Sequence, residues 1–323
     1  MGLRRPMKIG NAQLPNNLVL SPMAGFTDMP FRVLCRKHGA GLVSSEMVAA
    51  ASIHEPAIPL LRRRQTCEDE RPTSIQLFGT DPENIAEAAR ELGPDCDVLG
   101  FNMGCPAPQI KRAGCGAALL DHPEKCEAIV RAIKRASDKP LLVKMRAGNQ
   151  AAMDVVAFAK RLEEAGADAL IFHARTAAQG YSGRADWSLI RLVKETLWIP
   201  LIGNGDISDG PSAYRALSES GADGIAIGRA ALGDPRLFGR IAYFLEHGKP
   251  APATTPAERA DDFLTYLEGA EALGYDMPRI LQQAQRFTRG LRGGAELRET
   301  FQGGRKPVGE IRAVFEGLRA SAG

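Results

Sequence analysis

Short apolar runs recur along most of the chain, and segments with helical spacing of apolar residues separate them. Because the runs are continuous rather than alternating, they are typical of parallel strands that are buried on both faces. Strands are predicted at residues 17–20, 41–47, 73–79, 98–99, 141–146, 169–175, 199–203 and 224–229. Eight such strands joined by helices predict an α/β fold, a parallel (β/α)₈ TIM barrel.

An open, doubly wound sheet is the alternative for a chain in which strands and helices alternate. A sheet of that kind that binds a dinucleotide carries Gly-x-Gly-x-x-Gly directly after its first strand. Here the first predicted strand is followed by Ser21-Pro22-Met23-Ala24-Gly25, which lacks that spacing. The sequence therefore favours the closed barrel.

The chain continues beyond the barrel pattern with a proline-rich stretch. Residues 248–256 contain three prolines, which is typical of a linker. The apolar residues that follow have helical spacing and predict a small helical bundle. We therefore expect a barrel domain at 1–247, a linker at 248–256 and a helical domain at 257–323.

The overall charge is only mildly basic. The 323 residues carry a net charge of +3, so a nucleic-acid partner would have to be bound by a local basic patch. From residue 279 onward, nine basic residues stand against four acidic ones, although such a run is more often a solvated surface. The basic residues are Arg279, Arg286, Arg289, Arg292, Arg298, Arg305, Lys306, Arg312 and Arg319.

Cysteine usage and hydropathy indicate where the protein works. None of the six cysteines belongs to a Cys-x-x-Cys pair, and no signal-like apolar segment opens the chain. Free thiols in a reducing, cytoplasmic compartment are therefore expected. No segment approaches the roughly 20 apolar residues of a membrane span. We expect no membrane association, no bound metal and a monomer.

A reactive residue follows the fourth predicted strand. Cys105 lies between Gly104 and Pro106, and the proline fixes φ, so the turn would hold the thiol at the end of the strand. The strand ends of a parallel barrel face one common mouth, where catalytic residues collect. The alternative is that a lone cysteine is only a small buried hydrophobic residue. The polar residues at the other strand ends argue against that alternative.

The turns after the last two strands contain glycine. Asn204-Gly205-Asp206 and Gly228-Arg229 would expose backbone N–H groups, which commonly bind a phosphate at this place in a barrel. Arg229 would add a charge-assisted contact. Glycines that serve only tight turns are the alternative.

Three polar residues stand where a barrel core would be apolar. Lys144 must either reach water or meet an anion, and near a redox-active ring it would stabilise the negative charge that appears on reduction. His173 ends a strand beside Arg175, which favours ligand contact. Gln76 both donates and accepts, as the edge of a heterocycle requires. A structural ion pair for Lys144 and a core histidine at 173 are the alternatives.

Taken together, these segments resemble the tRNA-dihydrouridine synthase family, and the bacterial B-type subfamily in particular. The matching motifs run in order across the whole barrel: 21–32, 76–79, 102–106, 143–146, 173–176, 204–207 and 227–230. Asn-x-Gly-Cys-Pro at 102–106 and Thr-Asp-x-Pro-Phe-Arg at 27–32 are the most specific of them.

The resemblance implies an FMN enzyme that reduces the C5–C6 double bond of particular tRNA uridines and uses NADPH to reload the flavin. It implies that Cys105 protonates uracil C5 after hydride reaches C6, and that Asn102 and Arg175 orient the base. The helical domain would bind the tRNA; which uridine is modified stays open. The implied flavin-binding residues are Pro22, Met23 and Ala24 along the ring, Gln76, Lys144 and His173 at its edge, and Asn204, Gly205, Asp206, Gly228 and Arg229 at the phosphate.

Two other functions remain open at this point. A flavin barrel that acts on a free pyrimidine, like dihydroorotate dehydrogenase, would not need a basic helical segment. A tRNA-binding protein with a vestigial flavin site would not need intact Cys105, Lys144 and Gln76.

Overall fold

The computed structural model describes residues 2–55, 57–291, 293–301 and 307–320. Three of the basic residues counted in the C-terminal segment, Arg292, Arg305 and Lys306, lie outside the described residues. No helix in the described ranges combines the length and the apolar character needed to cross a membrane. Within the same ranges, no group of three or more His, Cys, Asp or Glu side chains could hold a metal ion.

Eight parallel strands form a closed barrel, which confirms the predicted fold class. The strands are β3 (Leu18–Leu20), β4 (Leu42–Ala49), β5 (Thr73–Phe78), β6 (Val98–Met103), β7 (Leu141–Arg146), β8 (Ala169–His173), β9 (Leu201–Asn204) and β10 (Gly224–Ile227). They pair in chain order, and β10 closes the barrel against β3. Continuous apolar runs are needed here because each strand is covered inside by the barrel core and outside by helices.

Helices surround the barrel. They are α1 (Met29–Lys37), α2 (Ile58–Arg64), α3 (Pro82–Leu92), α4 (Pro108–Arg112), α5 (Pro123–Ala136), α6 (Val155–Glu164), α7 (Trp187–Lys194), α8 (Gly210–Ser220) and α9 (Leu237–His247). Several begin with an aspartate cap followed by proline in the first turn. Asp28 accepts from the N–H of Phe31 at 3.2 Å, and Asp81 accepts from the N–H of Glu83 at 2.8 Å.

Several short elements were not predicted, among them a hairpin and a helix near the site. An antiparallel hairpin of β1 (Met7–Ile9) and β2 (Ala12–Leu14) precedes the barrel, and α4 follows the Cys105 turn. Each has only three to five residues, so neither spans enough of a period to give a periodic apolar pattern.

The C-terminal region is helical, as predicted. It contains α10 (Pro256–Ala272), α11 (Met277–Phe287), α12 (Gly294–Thr300) and α13 (Val308–Ala320). Phe263 of α10 stacks on Phe315 of α13 with 3.7 Å between ring centroids. The same apolar cluster continues through Phe31 and Leu34 of α1 to Leu20 of β3. The helical region therefore packs directly on the barrel, and its division from the barrel at 248–256 stays a prediction.

Candidate functional site

A cavity of about 790 Å³ opens at the carboxyl ends of the barrel strands. Residues at or beyond the ends of seven of the eight strands line it, because parallel strands all present their carboxyl ends to the same side. The predicted site residues on its wall are Pro22, Met23, Ala24, Asn102, Cys105, Lys144, His173, Arg175, Asn204, Gly205, Asp206, Gly228 and Arg229. Gln76 is the one predicted residue that is not on the wall.

The strand register brings the polar residues into neighbouring positions. Asn102 of β6 pairs with Lys144 of β7, and Arg146 of β7 pairs with His173 of β8. His173 in turn pairs with Asn204 of β9. Side chains alternate between the two faces of a strand, so Lys144 and Arg146 point to the same side. Arg146 could therefore have been assigned to the site from its spacing to Lys144.

The Cys105 turn is held by the side chain of Asn102. The Oδ1 atom of Asn102 accepts from the backbone N–H groups of Gly104 at 3.1 Å and of Cys105 at 2.9 Å. From the other side, the N–H of Ala117 donates to the carbonyl of Cys105 at 3.0 Å. Cys105 is partly exposed and lines the cavity, so its thiol is accessible to a bound molecule.

Gln76 lies behind Asn102 rather than on the cavity. Its Oε1 atom accepts from Nδ2 of Asn102 at 2.9 Å, and only 3% of the residue is exposed. This bond fixes which end of the Asn102 amide faces the Cys105 turn. Gln76 thus acts on the cavity through Asn102.

Two buried cations stand side by side on β7. The guanidinium of Arg146 donates to the carbonyls of Gly104 at 2.9 Å and Thr176 at 3.0 Å, so it supports the Cys105 turn. Burial, together with the charge of Arg146, lowers the pKa of Lys144 to about 8. Within the described ranges, no carboxylate lies within 4.0 Å of the Lys144 ammonium. Lys144 is thus a buried ammonium that no described carboxylate pairs with.

His173 is held neutral. Burial lowers its pKa to about 2, and the charges of Lys144 and Arg146 contribute to the shift. Nη1 of Arg175 lies 3.4 Å from Nε2 of His173. Since a guanidinium can only donate, Nε2 is the acceptor and the imidazole proton is on Nδ1.

Arg175 is bound mainly to the protein itself. Its Nη2 atom donates to both carboxylate oxygens of Asp206 at 2.9 and 2.8 Å, and also to the carbonyl of Gly183 at 2.7 Å. Only 2% of Arg175 is exposed. The residue was predicted to orient a substrate base, and in the structure its fork holds the turn after β9 and the ring of His173.

The two glycine turns meet at one end of the cavity. Nδ2 of Asn204 donates to the carbonyl of Ala226 at 2.7 Å and so ties β9 to β10. Gly205 has φ +131° and Asp206 has φ +57°, a reversal that turns backbone N–H groups outward. In the part of the chain that the structure describes, nothing accepts from the N–H groups of Gly205, Asp206, Arg229 and Ala230.

Two arginines at the mouth lie on aromatic rings, and sequence reasoning did not find either ring. The guanidinium carbon of Arg229 is 3.8 Å from the ring centroid of Tyr181, and that of Arg286 is 4.7 Å from the ring centroid of Phe26. Stacking leaves the N–H groups of both arginines free to bind anions. Tyr181 lies in the loop after β8 and Phe26 in the loop after β3, so no strand pattern pointed to either ring.

Solved structures share this barrel. A 2-naphthoyl-CoA reductase in complex with 2-naphthoyl-CoA superposes with a TM-score of 0.59 at 14% identity, covering 77% of this chain and 52% of that chain. Morphinone reductase in complex with tetrahydroNAD gives 0.55 at 13% identity, covering 80% of this chain and 94% of that chain. At these identities the likeness concerns the fold.

Sequence relatives identify the family. The family described as dihydrouridine synthase (Dus) matches residues 19–320. A probable tRNA-dihydrouridine synthase 1 of Synechocystis is 38% identical, covering 91% of this chain and 84% of that protein. A tRNA-dihydrouridine synthase B of Vibrio cholerae is 39% identical, covering 81% and 82%. Because both the family match and these relatives extend over most of the chain, the protein belongs to the dihydrouridine synthase family and is an oxidoreductase of that family.

Proposed function

We propose that this enzyme is an FMN-dependent tRNA-dihydrouridine synthase. It reduces the C5–C6 double bond of specific uridines in tRNA, and NADPH is its source of electrons. One observation carries the proposal. In a chain of this family, the thiol of Cys105 and the glycine turns at Gly205 and Gly228 open onto the same cavity of about 790 Å³.

The polar groups at one end of the cavity fit the phosphate of FMN. The free N–H groups at residues 205, 206, 229 and 230 suit a phosphate, and Arg229 adds a positive charge. A Cβ built on Gly228 would point between Met23 and Ser21, at 3.7 Å from Sδ and 3.8 Å from Cβ, respectively. The backbone at Gly228 therefore leaves open the space that a ligand would fill.

The remaining wall fits the ring of a flavin. Pro22, Met23 and Ala24 offer an apolar surface beside it. The ammonium of Lys144, which has no ion pair among the described residues, would contact its electron-rich edge. His173 would lie alongside as a neutral group. Gln76, which we expected at the ring edge, would act by holding Asn102.

The reaction needs one hydride and one proton on the uracil ring. When bound, the flavin would supply the hydride that adds to C6. Cys105 would donate the proton to C5 as a general acid, since its thiol lines the cavity that would hold the base. Asn102 and Arg146 hold the turn that carries this thiol, and Asn102 retains one amide hydrogen to direct at the base.

The helical region, residues 257–323, would bind the tRNA. A linker at 248–256 would join it to the barrel. A uridine inside folded tRNA must be splayed out to enter the cavity, and phosphate contacts would offset the lost stacking. Arg286 and Arg289 line the mouth and carry no ion pair within the described ranges. Of the arginines that the structure describes, these two are well placed for the tRNA backbone.

The test is turnover by the purified protein with FMN, NADPH and unmodified tRNA. Cys105→Ala should keep its bound FMN and lose at least about a hundredfold in dihydrouridine formation, the usual contribution of a general acid. Cys67→Ala, outside the cavity, is the matched control and should keep both. A Cys105→Ala variant that forms dihydrouridine at the wild-type rate would remove the assigned proton donor.

The same assay separates the alternatives. An enzyme of free pyrimidines would reduce uridine, uracil or orotate in place of tRNA. A binding protein with a vestigial flavin site would bind tRNA and show no FMN absorbance. Either result would overturn the proposed function.

A further inference from the structure

Helix α11 turns a polar face toward the cavity loop, the segment 21–28 between β3 and α1 that supplies Pro22, Met23 and Ala24. We propose that this face of α11 positions the cavity loop, so that cofactor binding by the barrel depends on the helical region. The inference rests on the proposed function for its cofactor. It assigns Arg279, Gln282 and Gln283 of α11 to positioning the cavity loop rather than to RNA contact.

The polar face follows from helical spacing. Arg279, Gln282, Gln283 and Arg286 stand at i, i+3, i+4 and i+7, which places them on one side of α11. The other side is buried in the apolar core of the helical region. Its residues are Ile280, Leu281, Ala284 and Phe287.

Glu46 of β4 links the first of these residues to the loop. The Oε2 atom of Glu46 accepts from the N–H of Gly25 at 3.1 Å. Arg279 donates to both oxygens of the same carboxylate. Glu46 is 2% exposed, and a buried charge of this kind stays in place only while it is paired. Arg63 is a second, more distant cation at this carboxylate, with its Nε atom 3.7 Å from Oε2. Arg279 is the closer partner and so helps to hold the carboxylate that binds Gly25.

Gln283 binds the loop directly. Its Nε2 atom donates to the carbonyl of Phe26 at 2.8 Å, and Gln283 is fully buried. One turn further along α11, the guanidinium of Arg286 lies on the ring of Phe26. Both contacts bear on the residue that follows Gly25 in the cavity loop.

Gln282 packs on Gly25 itself. Gly25 has φ +82°, and a Cβ built there would lie 3.4 Å from Nε2 of Gln282. Nearby, Tyr266 of α10 donates to Asp28 at 3.0 Å, where the cavity loop ends at the cap of α1. The helical region thus supports the outer side of the loop at Gly25, Phe26 and Asp28.

The loop depends on this support because its own bonds are few. The N–H groups of Phe26 and Thr27 both donate to the carbonyl of Met23 at 3.0 Å, and the N–H of Met23 donates to Oγ1 of Thr27 at 3.1 Å. These bonds form a single turn between Met23 and Thr27, which is the main internal restraint of the loop. The inner side of the loop faces the cavity. Without α11, the carbonyl of Phe26 and the carboxylate of Glu46 would lose buried partners, so the loop would move to recover them.

The first measurement is amide hydrogen exchange of the apo protein over a peptide that covers residues 21–31. Arg279→Gln should raise exchange in this peptide at least about fivefold, since fewer bonds hold it closed. Arg312→Gln is the matched control: Arg312 is also in the helical region, but its ion pair joins α13 to Glu271 of α10. Arg312→Gln should leave amide exchange in this peptide at the wild-type rate.

The second measurement is the FMN dissociation constant. Arg279→Gln should weaken FMN binding about tenfold, while tRNA binding by the apo protein stays within twofold of wild type. If Arg279→Gln does not fold, Gln283→Leu replaces it in the test, because leucine is of similar size and lacks the amide that donates to Phe26. It should raise exchange and weaken FMN binding in the same direction.

The outcomes separate the two proposals. Unchanged exchange and unchanged FMN affinity in a folded Arg279→Gln or Gln283→Leu protein would overturn the positioning role. A loss of tRNA affinity with FMN affinity unchanged would assign this face to RNA contact and would also overturn it. Wild-type protein that binds no FMN would refute the proposed function, and the exchange measurement would still decide whether α11 holds the loop.

Discussion

At the scale of single residues, the site consists of polar side chains that hold one another. Asn102 accepts from the Cys105 turn and donates to Gln76. Arg175 holds Asp206 and faces Nε2 of His173. Buried polar groups are normally satisfied in this way, and each bond restricts a side chain to one orientation. Lys144 differs from Arg175 in this respect, because no ion pair within the described ranges involves its ammonium.

The low pKa of His173 makes the fold sensitive to acid. The unfolded imidazole takes up a proton below pH 6.5, whereas the folded one stays neutral down to about pH 2. Stability that is present above pH 6.5 is therefore lost as the pH falls toward 2. Between pH 7 and 5, wild type should lose about 2 kcal/mol of unfolding free energy more than His173→Gln does. Urea unfolding at the two pH values measures this difference, and equal losses would contradict it.

Lys144 should make FMN binding depend on pH. Burial lowers the pKa of this ammonium to about 8, so its charge is lost as the pH rises from 7 to 9. If Lys144 binds the flavin edge, the affinity of the apo protein for FMN should fall over that range. Lys144→Met should bind FMN about tenfold more weakly at pH 7, the effect of one charged hydrogen bond, and should lose the pH step.

The matched control for Lys144→Met is Lys249→Met, which changes an exposed lysine between α9 and α10. Fluorescence titration with FMN at pH 7, 8 and 9 measures all three proteins. The Lys249→Met protein should follow wild type. Retention of both the wild-type affinity and its pH dependence by Lys144→Met would show that the ammonium does not bind the cofactor.

At the scale of elements, strand ends and short turns aim the reactive groups. The register places Asn102 beside Lys144 and His173 beside Asn204, so four strands contribute neighbouring side chains. The turn after β6 is then closed by a 3₁₀ helix at Gly116–Asp121, whose first residues lie against Cys105. The position of the thiol therefore depends on this second segment as well as on β6.

Gly116 is the contact point between the 3₁₀ helix and the Cys105 turn. It has φ +60°, and a Cβ there would lie 2.7 Å from the carbonyl oxygen of Cys105. Gly116→Ala should therefore displace Cys105 and lower turnover on the order of 10- to 100-fold, as expected for a misplaced catalytic group. It should also lose about 1 kcal/mol of stability from the strained backbone.

Gly114→Ala is the control for backbone strain. Gly114 has φ +72°, but the nearest atom to its Cβ would be Cγ2 of Thr80 at 3.5 Å. Gly114→Ala should lose a similar free energy of unfolding and keep the wild-type turnover rate. Thermal unfolding and single-turnover kinetics of both variants distinguish strain from displacement. Equal turnover by the two variants would mean that the close contact between residue 116 and Cys105 does not affect catalysis.

At the scale of the whole molecule, the barrel and the C-terminal helices share one apolar core. Phe263 is fully buried and packs on Phe315 and Phe287, in a cluster that reaches Phe31 of α1 and Leu20 of β3. The polar face of α11 adds the bonds to the cavity loop. The helical region is thus part of the framework of the site.

Shared packing predicts a single unfolding transition. Phe263→Ala should lower the stability of the whole chain by about 3 to 5 kcal/mol, the usual result of such a truncation in a core. Both tryptophans of the protein, Trp187 and Trp198, lie in the barrel, so their fluorescence reports on the barrel alone. We expect the fluorescence transition to shift together with the loss of helix measured by circular dichroism. A fluorescence transition that does not move would mean that the two parts unfold independently.

The sequence by itself determined the barrel strands, the helical character of the C-terminal region and the strand-end residues of the site. Continuous apolar runs can be satisfied only by strands covered on both faces, and parallel closure then brings their polar ends to one mouth. For that reason the sequence alone was sufficient to assign Cys105, Lys144, His173 and the glycine turns to one site. Arg146 could also have been assigned to the site, because side chains two residues apart on a strand point to the same side.

Only the tertiary structure decided which partner each polar group takes. Gln76 faces Asn102 and not the cavity, and Arg175 is bound to Asp206 across 31 residues of sequence. Arg279 reaches Glu46 across 233 residues. Such contacts depend on how helices pack and on which rotamers fit between them, and periodicity along a chain carries no information about either. The support of the cavity loop by α11 is therefore a property of the packed molecule.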